Sequence, residues 1–158
     1  MPIYMKYEGI KGSATGKYQG WIELESAQLG THRNISNPTG TSANRESNAP
    51  SISEIVVTKF QDSSSTHLFR EALSGTGKKV TIDFVRSGDC GAPYLSIELE
   101  NTLISNFSVS GHGGDSHNKP MESLSLNFTK ISFSTKATEC AKDPTAVKDR
   151  AMWDLATK

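Results

Sequence analysis

The chain predicts a mainly β fold: a two-sheet antiparallel β-barrel with one flanking α-helix over about 63–74 and a long extended loop over about 31–51. Three observations carry this prediction. Apolar and polar residues alternate with period two through most of the chain. One stretch alone carries apolar residues at helical spacing. One polar stretch cannot supply a core of its own. The 158 residues fit a single domain over 1–158, long enough to bury roughly 70% of its unfolded surface.

The strands follow in order. Ile3, Met5 and Tyr7 alternate with Tyr4, Lys6 and Glu8. Over 18–29, Ile22 and Leu24 share one phase and Ala27 and Leu29 the other, which predicts a bend. The segment 52–60 has apolar residues in both phases, Ile55 and Val57 against Ile52, Val56 and Phe60. A strand of that kind is covered on both faces, by the core and by a helix or a neighbouring subunit. Val80, Ile82 and Phe84 alternate again. From 94 to 110 the apolar residues Leu95, Ile97, Leu99, Leu103, Phe107 and Val109 are all odd, which predicts one long strand, or two collinear ones, with one dry face and one wet face. In 121–135 the phase changes between Phe128 and Ile131, as a β-bulge near Thr129-Lys130 would make it. Trp153 and Leu155 predict a last short strand.

The helix has Asp62-Ser63-Ser64 as a source of capping oxygens, Leu68, Phe69, Ala72 and Leu73 as its apolar stripe, and Gly75 and Gly77 to end it in a left-handed turn. The polar segment 31–51 has Ile35, Ala43 and Ala49 as its only apolar residues besides two prolines. It reads either as a surface loop or as an arm that orders on a partner.

Charge and motifs remove several function classes. Seventeen basic residues balance seventeen acidic ones, so the basic surface a general nucleic-acid binder needs is not there. No run of apolar residues exceeds three, which excludes a spanning helix and any h-region, and so membrane insertion by a helix. Cys90 and Cys140 read as two reduced thiols, with a single late bridge as the alternative. His112, Asp115 and His117 can be drawn as a metal site, but the glycines around them describe a mobile polar hairpin loop. Glu98 and Glu100 lie on one wet strand face rather than in an acid–base pair. No nucleophile elbow or phosphate-binding glycine motif is present. The expectation is no enzyme, no cofactor and no metal. A small-molecule-binding β-barrel is the main alternative, and a hydrolase a further one.

The order of these segments carries more. Gly20-Trp21-Ile22-Glu23-Leu24 is followed by the polar arm, then by Val57-Thr58-Lys59-Phe60 with Asp62-Ser63, the Gly111-His112-Gly113-Gly114 loop, Leu124-Ser125-Leu126-Asn127-Phe128, and Trp153-Asp154-Leu155. This series resembles the Hcp family, the haemolysin-coregulated proteins of bacterial type VI secretion systems, over nearly the whole chain. The resemblance implies a β-barrel related to phage tail-tube proteins. It implies a homo-hexameric ring whose copies stack into a tube, driven from the cell by a contractile sheath, capped by a VgrG-like tip protein and carrying effector proteins in its lumen. Such a chain is made in the cytoplasm and secreted without a cleavable signal. The arm then becomes the contact between rings, through Asn34, Ile35, Asn37, Pro38, Thr39, Asn44, Arg45 and Glu46. The ring interface is expected at Ile55, Val57, Leu68 and Phe69, and the lumen at Glu23 or Gln28.

Overall fold

A computed structural model describes residues 1–36, 46–47, 49–88, 91–114, 119–136 and 147–156. The elements in chain order are β1 (Ile3–Tyr7), β2 (Ile22–Leu24), β3 (Ser26–Gln28), β4 (Thr31–His32), β5 (Ile35–Ser36), β6 (Glu46–Ser47), β7 (Ser51–Ile52), β8 (Ile55–Phe60), α1 (Ser65–Ser74), β9 (Lys78–Val85), β10 (Pro93–Ser110), β11 (Met121–Asn127), β12 (Lys130–Lys136) and β13 (Val147–Asp154). A 3-10 turn at Gly16–Tyr18 lies between β1 and β2.

Two antiparallel sheets share β10. The first runs β2-β1-β9-β10-β12-β13, using the first half of β10; the second runs β10-β11-β8-β3, using its second half. Met5, Ile22, Ile82 and Leu99 of the first sheet meet Ile55, Val57, Leu124 and Leu126 of the second in one core, all of them fully buried. Burying each such side chain contributes roughly 1.5–3 kcal/mol.

Besides the connection through α1 from β8 to β9, three segments of the described chain cross from one sheet to the other at a strand corner, and these three do it in the same way. In a regular strand core-facing residues are two apart. Here Leu24 and Ala27, Leu99 and Thr102, and Phe128 and Ile131 face the core three apart, with two successive residues turned outward between them. Each pair of outward residues turns the strand over a corner of the sandwich. At the middle corner Asn101 has φ 52, a left-handed conformation that asparagine tolerates, and a Cβ on neighbouring Gly77 would run into its side chain and backbone.

The mainly β class, the antiparallel sheets and the helix agree with the sequence. The closed barrel is not formed by hydrogen bonds. β2 and β3 stand at the two ends of the ladder path, and no ladder joins them among the described residues. They are joined through Glu25, whose N–H donates to Thr58 O at 2.8 Å. The single dry face expected along 94–110 is also corrected. The corner at Asn101 turns Leu103 outward (44% exposed) and Thr102 inward, and a bulge at Ser105 then returns Phe107 to pair with Leu124. The break near Thr129-Lys130 is the matching corner of β11–β12, not a bulge, because Glu100↔Lys130 and Leu103↔Asn127 keep one register across it.

The long loop of 31–51 is an arm with its own pairing: β4 pairs β7 and β5 pairs β6, two residues each, apart from the main sheets. Helix α1 starts at Ser65. Asp62 accepts the Ser64 N–H at 2.9 Å and the Ser64 hydroxyl at 2.5 Å. Gly75 is extended (φ −66, ψ 156) rather than left-handed. Trp153 lies on β13, eight residues of edge strand where a short one was expected.

Candidate assembly surfaces

The Val57-Thr58-Lys59-Phe60 and Asp62-Ser63 stretch builds a buried charged cluster. Lys59 points inward from β8 with no exposure. Its Nζ lies 2.8 Å from Asp62 Oδ1 and 2.8 Å from Glu122 Oε2 on β11. It also donates to Phe60 O at 2.8 Å and Ser65 Oγ at 3.3 Å. Burial pushes the Asp62 carboxyl up, but hydrogen bonds from Lys59 and Ser64 and the Lys59 charge outweigh it and hold the group below its ordinary value. The cluster fastens β8, β11 and the start of α1 together. Sequence reasoning singled out this stretch without seeing the ion pair, because Glu122 is 63 positions away.

The two outer sheet faces differ in chemistry. Across the first sheet run Glu23, Tyr4, Asp83, Ser96, Ser134 and Arg150, followed by Lys6, Thr81, Glu98, Ser132 and Met152. This face is charged, with Lys79 paired to Glu98 at 3.3 Å. Part of it is covered by Tyr18, which stacks on Tyr4 at 4.4 Å and meets Trp21 edge-on at 5.0 Å. Burial, then Asp83 and Tyr4, pushes the Tyr18 hydroxyl up to about 12. Across the second sheet run Ser26, Thr58, Ser123 and Ser108, with Ser26 and Thr58 hydroxyls 2.6 Å apart, and beside them Gln28, Val56, Ser125 and Asn106. This face has no charge in either row. Glu23 and Gln28 are both exposed, but they lie on the outer faces of different sheets, so one wall cannot hold both.

The second sheet ends on both sides in unpaired backbone. β3 pairs only β8, and the second half of β10 pairs only β11, among the described residues. Such edges are templates for another strand.

The four residues expected at a ring interface separate. Ile55, Val57 and Leu68 are fully buried in the chain's own core and present nothing to a neighbour. Phe69 is 51% exposed, with its ring 5.7 Å from that of Phe107. The expectation took for a neighbour's surface the side of β8 that faces the core, where Ile55 and Val57 pack with first-sheet residues such as Met5 and Ile22, while Val56 and the 42% exposed Phe60 lie on its other side. On the arm, Asn34 and Ile35 are exposed, Ile35 by 56%. Glu46 lies on β6, while Asn37, Pro38, Thr39, Asn44 and Arg45 fall outside the described residues. At the arm's base an apolar groove of about 530 Å³ lies between Leu29 and Ile52 on one side and Phe133, Met152 and Trp153 on the other.

Among the described residues no cluster of His, Cys, Asp and Glu could hold a metal ion. Asp115, His117, Cys90 and Cys140 lie outside them. No helix of the described residues is long and apolar enough to cross a membrane.

Comparison with known proteins agrees with this architecture. The family described as "Type VI secretion system effector, Hcp" matches residues 4–134. Comparison with curated proteins gives no match. Among solved structures, one described as a type six secretion system protein superposes with a TM-score of 0.85 at 19% identity, covering 99% of this chain and 96% of the other. Hcp1 from Salmonella typhimurium gives 0.76 at 18% identity, covering 98% and 95%. Hcp1 from the E. coli EAEC 042 pathovar, as a double mutant, gives 0.73 at 22%, covering 98% and 99%. At these identities the structures speak for the fold, and the family match over most of the length speaks for membership. The chain belongs to the Hcp family of type VI secretion system proteins.

Proposed function

We propose that this chain is the structural subunit of a type VI secretion inner tube, a ring-forming wall rather than an enzyme. The observation that carries the proposal is the second sheet: four strands wide, uncharged across the two central rows of its outer face, and unpaired at both edges among the described residues. A closed ring needs two different, complementary patches on each subunit. The β3 edge of one copy and the β10 edge of the next are such a pair, and joining them extends one sheet around a lumen. Ser26, Thr58, Ser123 and Gln28 then line it with short uncharged polar groups, which hold water and select cargo weakly by charge. Glu23 faces away from that wall, on the charged first sheet.

The arm stands apart from both sheets and exposes Asn34 and Ile35, which supports its role between stacked rings. A hexameric ring, a contractile sheath outside, a VgrG-like tip and effectors within complete the reading, with export that bypasses a cleavable signal. The alternative, a small-molecule-binding barrel, calls for an apolar chamber between the sheets, where the core side chains pack instead.

Native mass measurement and electron microscopy test the ring. Annular hexamers are expected, and a strict monomer at high concentration would sink the proposal. Cysteine variants test the wall, in a background with Cys90 and Cys140 replaced by serine. Gln28→Cys and Ser123→Cys are expected to react with a small maleimide but poorly with a long polymer maleimide. Glu23→Cys is expected to react with both.

A further inference from the structure

Asp62 divides its two carboxylate oxygens between two parts of the molecule. Oδ1 serves the buried cluster: Lys59 Nζ at 2.8 Å, the Ser64 N–H at 2.9 Å and the Ser64 hydroxyl at 2.5 Å. Oδ2 accepts the Ser13 N–H at 3.3 Å and the Ser13 hydroxyl at 3.2 Å, from a segment 49 positions earlier. Ser13 lies in the connection between β1 and β2.

That connection is folded on itself. Gly12 N–H donates to Gly20 O at 2.9 Å and Ala14 N–H to Trp21 O at 3.0 Å. Its far end is held to the first sheet by Tyr18 stacked on Tyr4, with the Tyr18 hydroxyl donating to Gly91 O at 3.4 Å. Its near end, at Ser13, is exposed and meets Asp62. Gly12, Ala14 and Thr15 form one wall of an open cleft of about 1010 Å³, opposite Lys6, Lys79 and Thr81.

We infer that Asp62 is a latch: its outer oxygen fastens this cleft wall to the start of α1, and removing its charge frees the wall while Lys59 keeps β8 on β11 through Glu122 and on α1 through Ser65. The division of the oxygens gives the selectivity. An amide at this position keeps its carbonyl oxygen for Lys59 and the Ser64 donors and turns its NH₂ toward Ser13. There the amide group meets the Ser13 N–H donor to donor, and that bond is lost. A protonated carboxyl keeps less attraction for the same donors, because bonds to an ionised acceptor are about twice as strong as neutral ones. The groups facing the Asp62 carboxylate are Lys59 from β8, Ser64 from the start of α1 and Ser13 from the connection, with Glu122 of β11 across Lys59 and the Ser65 hydroxyl accepting the Asp62 N–H. The carboxyl sits below its ordinary value of 3.8. The latch therefore holds at neutral pH and yields only as pH falls below that value.

Amide hydrogen exchange on the full-length protein tests this. In Asp62→Asn, protection at Gly12, Ser13 and Ala14 is expected to fall about tenfold, in line with loss of a hydrogen bond to a charged group. Amides of Val57, Leu68 and Leu124 are expected to keep theirs. Ser13→Ala, which keeps the backbone bond, is expected to lose less. Unchanged protection at Ser13 in Asp62→Asn would overturn the inference. So would an equal loss at Leu68 and Leu124, which would make Asp62 a core ion only. Should Asp62→Asn not fold, acidification of the wild type from about pH 6 to about pH 3 decides, across the ordinary carboxylate range. Loss at Gly12–Ala14 ahead of the core supports the latch, and simultaneous loss overturns it.

Discussion

Lys59 and Glu122 face each other across the β8–β11 ladder at 2.8 Å, with side-chain exposures of 0% and 3%. An ion pair so far from water repays its desolvation only while both partners are present. Breaking it by Glu122→Gln or Lys59→Ala is expected to cost about 3–5 kcal/mol, read as a lower denaturant midpoint. The double replacement Lys59→Met with Glu122→Leu is expected to recover most of that loss. Asp62 keeps it from full recovery, since it loses its Lys59 partner.

The corner at Asn101 makes a second prediction. Gly77→Ala places a methyl group against Asn101 and is expected to destabilise by about 1–3 kcal/mol, the usual cost of overpacking. Asn101→Gly removes the obstructing side chain and suits the positive φ, so the double variant is expected to regain stability in thermal melts. Equal loss in single and double variants would place the strain elsewhere.

Alkaline pH is expected to unfold the chain more readily than acidity alone suggests. Burial first, then the Glu71 charge, pushes the Tyr7 hydroxyl from 10.0 to about 12, and Tyr18 is pushed to about 12 as well. Both groups are therefore protonated in the fold where the unfolded chain has already ionised. Their stabilisation is complete below pH 10 and is lost as pH rises from 10 toward 12. Tyr7→Phe and Tyr18→Phe are expected to flatten this dependence in unfolding titrations.

The arm supplies a fourth prediction. Deleting residues 35–48 removes β5 and β6 but no strand of the two main sheets. The far-ultraviolet circular dichroism and the ring are expected to persist, while stacking of rings and secretion weaken. Unfolding of the subunit would show that the arm supports the core.

The sequence determined the elements wherever a side chain's chemistry agreed with its position. The alternation of Ile3, Met5 and Tyr7, the stripe of α1, and the order of segments that resembles the Hcp family were all legible. So were two of the three corners, because Leu24 with Ala27 and Phe128 with Ile131 are apolar and show the change of phase. The third was hidden: at 102 a buried threonine and at 103 an exposed leucine reverse the usual assignment, so the apolar pattern ran straight through the bend. Tertiary structure alone decided which faces are left outside. Ile55, Val57 and Leu68 read as surface for a neighbour because a strand or a helix taken singly does not show which side is covered, yet folding brings the first sheet over Ile55 and Val57 and packs Leu68 into the same core. Glu23 and Gln28, five positions apart, part company at Glu25, because turning that corner sends one to a charged sheet face and the other to an uncharged one. Local pattern fixes which residues avoid water; only the packing of distant segments fixes what does the covering.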